Sequence, residues 1–328
     1  MCQQLTAYFG LIILRLQMSE GNTSDTPGGA AEQQAYDLIV VNGYEHFDRF
    51  PVLEAAWPQL ASALPAFMAG PNHRLQTICA ALAAFLEFSA RWDAWLSLAL
   101  QAEAKAVAAE DWVQAGWRAY DVGWVHNLRE NGVRVVEFAQ RAEAHFAKVP
   151  DAVGELASAI RLRGIGHRLN ENDAAALKAF REALALRRAT ATADVDAALG
   201  LNDAADAARR MGQYESAERD YLEALRIATA GQDEEGMAVY TGNLAMLALE
   251  QEEWPRAEAR AREALPLAEK VGRKELIARN HYRIAKALVM QGKREPGRPH
   301  AQTAVALFAE LGTSELAAAQ SLLWRCEA

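Results

Sequence analysis

The sequence predicts an all-α solenoid of repeated helix-turn-helix units, and three observations carry that prediction. One pattern is written twice between Leu201 and Leu265. Gly212-Gln213-Tyr214 is followed by Ala217, Tyr221 and Ala224-Leu225; forty residues on, Glu252-Glu253-Trp254 is followed by Ala257, Ala261 and Ala264-Leu265. A fixed period of this length marks an array whose units bury their apolar faces only against neighbours. Apolar residues form 51% of the 328-residue chain, Ala, Leu, Glu and Arg are common, and only 10 prolines interrupt them. That is the balance of a helical protein. The doubled pattern also extends in both directions. The small residues Ala102, Ala142, Ala183, Ala224, Ala264 and Ala304 follow one another at 40, 41, 41, 40 and 40 residues.

Taken in order, residues 1–20 read as an apolar helix, with Leu5, Tyr8, Phe9, Ile12, Ile13 and Leu16 at helical spacing. Residues 21–32, rich in Gly, Ser, Thr and Asp, read as a flexible linker. A helical lead-in pair follows over 33–71, with helices near 33–48 and 51–69; Pro51 opens the second and Gly70-Pro71 stops it. Six repeats then fill 72–313. The turn between the two helices of each falls at Trp92, Gly132, Asp173, Tyr214, Trp254 and Arg294. Small residues recur in the first helices at Ala83, Gly123, Gly164, Ala205, Ala245 and Ala285, where close helix approach requires them. Gly231, Gly272 and Gly312 read as left-handed caps at the ends of second helices. Residues 314–328 fit a lone first helix that caps the apolar end.

The net charge of −9, with a pI near 5.4, argues against nucleic-acid binding, which needs a basic stripe for phosphates. Cys2, Cys79 and Cys326 are unpaired in spacing, as in a reduced cytoplasmic protein. The apolar run at 5–16 is too short for the roughly 20 residues that span a bilayer, so a membrane partner is not expected.

The small residues at packing positions and the Gly212, Tyr214, Ala217, Tyr221 and Ala224 series resemble the tetratricopeptide repeat, in a long variety of about 40 residues. Gly164, Ala176, Phe180 and Ala183 fit the same pattern. The resemblance implies a right-handed superhelix whose first helices line a concave face. A second resemblance, over residues 35–105, rests on Leu53-Glu54, Trp57-Pro58, Leu60, Phe85-Leu86 and Arg91-Trp92-Asp93. It is to the junction between motor and repeat array in NB-ARC or STAND signalling ATPases. It implies a sensor array whose motor is missing, because Gly292-Lys293 lacks the glycine and hydroxyl residues of a phosphate loop.

No hydrolase, zinc, paired-cysteine or calcium-loop motif is present, so the sequence predicts neither catalysis, nor a metal site, nor a cofactor. Gly164-Ile165-Gly166 fits helix packing rather than a dinucleotide loop, since Leu169 replaces the third glycine. His126 and His167 share a repeat position, where buried neutral histidines are the expected role. What the resemblance implies instead is a groove for a protein or peptide partner. Its register places Trp117, Tyr120, Trp124 and Asn127 there in the second repeat, Arg161 and Arg168 in the third, and Asn202 and Arg209 in the fourth. Asn243 of the fifth stands where related repeats bond a peptide backbone, and Arg279, Tyr282 and Lys286 complete the sixth. The aromatic trio fits either the groove or packing between repeats. The arginines suit acidic residues and the aromatics an apolar anchor on the bound segment. Two readings follow: a non-enzymatic scaffold or sensor, or the regulatory part of a STAND-type ATPase.

Overall fold

A computed structural model describes residues 27–189 and 195–327 of the chain. The described residues form fifteen α-helices and contain no strand. They divide into two compact units, residues 1–190 and 191–328. The first holds α1 (Pro27–Asn42), α2 (Phe50–Ala69), α3 (Asn72–Phe88), α4 (Trp92–Ala108), α5 (Trp112–Leu128), α6 (Gly132–Phe146), α7 (Val153–Leu169) and α8 (Asp173–Ala189). The second holds α9 (Val195–Arg210), α10 (Tyr214–Ala230), α11 (Glu234–Glu250), α12 (Trp254–Val271), α13 (Lys274–Met290), α14 (Arg294–Leu311) and α15 (Leu316–Glu327).

The forty-residue repeat is built from two twenty-residue halves. Most helices run 17 residues, about 25 Å, and a single left-handed residue then turns the chain back. In the second unit these residues are Gly212, Gln232, Glu252, Gly272, Gly292 and Gly312, one every 20 residues. In the first they include Ala90, Glu110, Glu130 and Glu171. Each turn is closed by an N–H reaching back five residues, such as Asp111 to the Ala106 carbonyl at 2.8 Å and Asn131 to that of His126 at 2.9 Å. The same residue then opens the next helix. The Asp111, Asn131, Asn172 and Asp233 side chains accept from the backbone N–H three positions on. One residue thus closes the old helix through its N–H and starts the new one through its side chain, which keeps the turn short.

This arrangement corrects three expectations. Trp92, Gly132, Asp173, Tyr214, Trp254 and Arg294 do not lie in turns but are the first residues of second helices. Gly272 and Gly312 are left-handed caps with φ of 75° and 63°, whereas Gly231 has φ −84°. There the helix runs one residue further and Gln232, at φ 54°, makes the turn. At the N-terminal end α1 starts at Pro27, inside the expected linker, and stops at Asn42 rather than 48. Asn42-Gly43 breaks it, and the Tyr44 N–H bonds the Ala81 carbonyl of α3 at 2.6 Å. An added Cβ on Gly43 would strike that same carbonyl. A short 3-10 turn, Phe47–Arg49, then leads into α2. The helix expected over 1–20 lies outside the described residues.

The core is rich in alanine. The six anchors from Ala102 to Ala304 are all buried, as are Ala83, Gly123, Gly164, Ala205, Ala245 and Ala285. Close packing needs glycine here too: a Cβ on Gly116 would collide with the Phe146 ring, and one on Gly164 would lie 2.5 Å from that of Phe180. Helix α15 lays Ala319, Leu322 and Cys326 against α13 and α14.

Candidate functional site

In the second unit, α9, α11 and α13 are the first helices of successive repeats, and equivalent positions on them lie side by side. The Asn243 amide on α11 donates to the Asn202 side-chain oxygen on α9 at 2.8 Å, across 41 residues of sequence. Both residues are half-buried. Among the described residues the bond leaves the Asn243 carbonyl oxygen and the other amide hydrogens of the pair available. An extended peptide backbone requires such an acceptor and such donors from a partner.

Arg209 lies on the same helix as Asn202, but it is not a free cation. Its guanidinium bonds Asp206 through Nη2 at 2.7 Å and Nε at 3.3 Å, and it pairs with Glu250 of the next repeat. The half-buried guanidinium loses hydration, yet these carboxylates raise its pKa above the ordinary arginine value and keep it charged. Arg279 is exposed and paired with Glu315 at 2.9 Å. Tyr282 packs between two clusters, one around Ala285 and Ala301 and the other around Phe308 and Ala319. Lys286 is half-buried on α13.

In the first unit the expected aromatic trio is buried. Trp117, Tyr120 and Trp124 are 5%, 8% and 6% exposed. Trp117 meets Phe146 edge-on at 5.1 Å, and Tyr120 stacks on Trp124 at 6.2 Å. Of the two roles left open for these rings, burial favours packing, and it removes them as an open aromatic surface. Asn127, Arg161 and Arg168 are half-buried on α5 and α7. Arg209 belongs to the other unit. His126 stacks on Phe138, and burial and nearby arginines hold both His126 and His167 below the usual histidine pKa.

Sequence reasoning missed Arg283, which follows Tyr282 on α13. It is 8% exposed, and its hydrogen bond goes to the Asn280 side-chain oxygen at 3.1 Å. Burial, with Arg279 nearby, lowers its pKa to about 10. The available signal was Gly242, directly before Asn243: a Cβ there would stand 2.6 Å from the Arg283 guanidinium.

The residues of the second resemblance pack on one another. Arg91 forms a two-pronged pair with Glu54 at 2.7 and 2.8 Å and lies 4.8 Å over the Trp57 ring. Among the described residues no group of three or more His, Cys, Asp or Glu could hold a metal ion. None of the described helices is long and apolar enough to cross a membrane.

Comparison with known proteins agrees with the helical architecture. Residues 196–270 match the family model described as tetratricopeptide repeat. No curated protein sequence matches the chain. Among solved structures, a Rap protein complexed with Competence and Sporulation Factor is similar at TM-score 0.58 and 12% identity, covering 99% of this chain and 93% of that one. NprR in complex with its cognate peptide NprX is similar at TM-score 0.51 and 15% identity, covering 89% and 81%. Aspartyl phosphate phosphatase F from Bacillus subtilis is similar at TM-score 0.56 and 10% identity, covering 94% and 95%. Identities this low show the fold alone: all-α and tetratricopeptide-like. None of these three likenesses is to a nucleotide-binding signalling ATPase.

Proposed function

We propose that this chain is a non-catalytic scaffold or sensor that binds an extended peptide on the face formed by α9, α11 and α13. The Asn202–Asn243 pair carries the proposal. Two amides one repeat apart hold each other in place and keep backbone-matching donors and acceptors open. The solved structures named above give support, since one holds a cognate peptide and another a named factor on the same kind of fold. The bound segment is a protein or peptide. In this reading α1 and α2 lead into the array, α3–α14 form its six repeats and α15 caps it. The free, buried Cys79 and Cys326 suit a reducing, cytoplasmic setting.

The test is selection from a displayed random-peptide library, followed by affinity measurement on wild type and on Asn202→Ala/Asn243→Ala. Loss of two side-chain hydrogen bonds predicts a fall of roughly 5–100-fold. If the folded double variant binds the selected peptides as tightly as wild type, the proposal fails.

A further inference from the structure

Six arginines of the second unit are matched to carboxylates. Arg209, Arg256, Arg260, Arg262, Arg273 and Arg279 each lie within ion-pair distance of an Asp or Glu. Arg283 is more deeply buried than any of them, yet its one hydrogen bond among the described residues is to the neutral Asn280 oxygen. A buried guanidinium without a counter-charge is costly and rarely left so. Two further buried donors around it lack acceptors: the Asn280 amide nitrogen and the Tyr221 hydroxyl, on a side chain with no exposure. The Tyr221 phenol feels the charges of Asp206 and Arg209 and, more weakly, that of Arg283. Gly242 of α11 gives the Arg283 guanidinium its room, since a Cβ there would stand 2.6 Å from it, and it lies one residue from the Asn243 that marks the proposed peptide face.

The geometry points to Arg283, Asn280 and Tyr221 as an anion subsite that takes the carboxylate of an aspartate or glutamate in the bound peptide, an inference that rests on the peptide-binding reading above. A carboxylate is planar, carries one charge and accepts hydrogen bonds on two oxygens, which suits the flat guanidinium fork and two neutral donors. A phosphate dianion suits it less well. The neighbouring Arg209 is already neutralised by Asp206 and Glu250, whereas Arg283 has no carboxylate within ion-pair distance among the described residues. Filling the site would give the buried charge its partner, and the peptide would gain most from an acidic residue at one fixed position.

The test compares peptides selected on wild type and on Arg283→Met, together with Asp→Asn versions of each selected peptide. Gly242→Ala serves as a second variant that keeps the charge but places a methyl group against the guanidinium. Both variants are checked for folding by circular dichroism. The expected result is an acidic residue at one fixed position with wild type. Affinity should fall on the order of tenfold or more in both variants, and the Asp→Asn peptide should lose its advantage in Arg283→Met. Peptides without an acidic preference, or the same preference in Arg283→Met, would overturn the subsite while leaving peptide binding intact. If no peptide is selected, the peptide-binding reading fails. The subsite is then judged alone by titrating N-acetyl-aspartate methylamide and its asparagine counterpart, following the arginine side-chain NMR signals. A shift at Arg283 with the aspartate compound only would retain it, and no shift would overturn it.

Discussion

Adding a single methyl group at Gly164 measures how closely successive helices approach. An alanine Cβ there would lie 2.5, 2.7 and 3.1 Å from Cε1, Cδ1 and Cζ of Phe180. Ordinary carbon contacts are about 3.5–4.0 Å, so the ring must retreat by about 1 Å. Phe180 on α8 has no exposure. Overpacking of this kind costs about 1–3 kcal/mol. Replacing a mid-helix glycine by alanine returns about 1 kcal/mol. The net expectation for Gly164→Ala is a loss of up to about 2 kcal/mol. Gly200, in the interior of α9, provides the matched control, since nothing lies within 4 Å of its added Cβ. There only the helix term acts, and Gly200→Ala should stabilise by about 1 kcal/mol. Urea unfolding followed by circular dichroism reads both. Opposite shifts of the midpoints are predicted. A Gly164→Ala variant stabilised as much as Gly200→Ala would refute the close contact between α7 and α8.

Other expectations concern the turns, the buried arginine and a histidine pair. Glu252 holds a left-handed conformation at φ 60°, so Glu252→Gly should stabilise by about 1 kcal/mol, whereas Gly212→Ala, at φ 72° with open space around it, should cost about as much; thermal melts check both signs. Arg283→Met should stabilise the peptide-free protein by about 1–3 kcal/mol, because an uncompensated buried charge is exchanged for an apolar chain of similar length; an unchanged or lower urea midpoint would contradict this. His281 on α13 and His300 on α14 face each other with their Nδ1 atoms 2.8 Å apart, one necessarily the donor and the other the acceptor. Burial lowers both pKa values below 6.5, and His281 and Arg262 lower that of His300 further. Below about pH 6.5 the unfolded chain therefore binds more protons than the folded one, so the pair's contribution is complete above that pH and is lost as pH falls through the folded values. A double His→Gln variant should lose less stability than wild type between neutral pH and pH 5; parallel pH profiles would contradict this.

The repeat was legible because alanine and glycine at packing positions leave a periodic trace. The turns were less so. A left-handed residue can be Glu110, Glu130, Glu171 or Glu252, since an exposed polar residue there costs little enough to be tolerated, and the twenty-residue beat then carries no glycine signal. The Asn202–Asn243 contact follows directly from the 41-residue spacing. Spacing also held the correction for Arg209, because Asp206 lies one helical turn before it and Glu250 lies 41 residues after it. Trp117, Tyr120 and Trp124 share a helical face, but periodicity alone does not say whether that face is open. Gly116 was the clue, since it admits the Phe146 ring beside Trp117. Arg283 escaped notice because a charge next to a groove position reads as solvated. Its environment depends on a glycine 41 positions earlier in the chain, Gly242.

Hydrogen–deuterium exchange on the second unit, with and without a selected peptide, shows which helices the peptide covers. Added protection is expected in α9, α11 and α13, centred on Asn202, Asn243 and Arg283. Helices α10, α12 and α14 should change little. Protection confined to α10, α12 and α14, or absent from the unit altogether, would contradict the proposed peptide face.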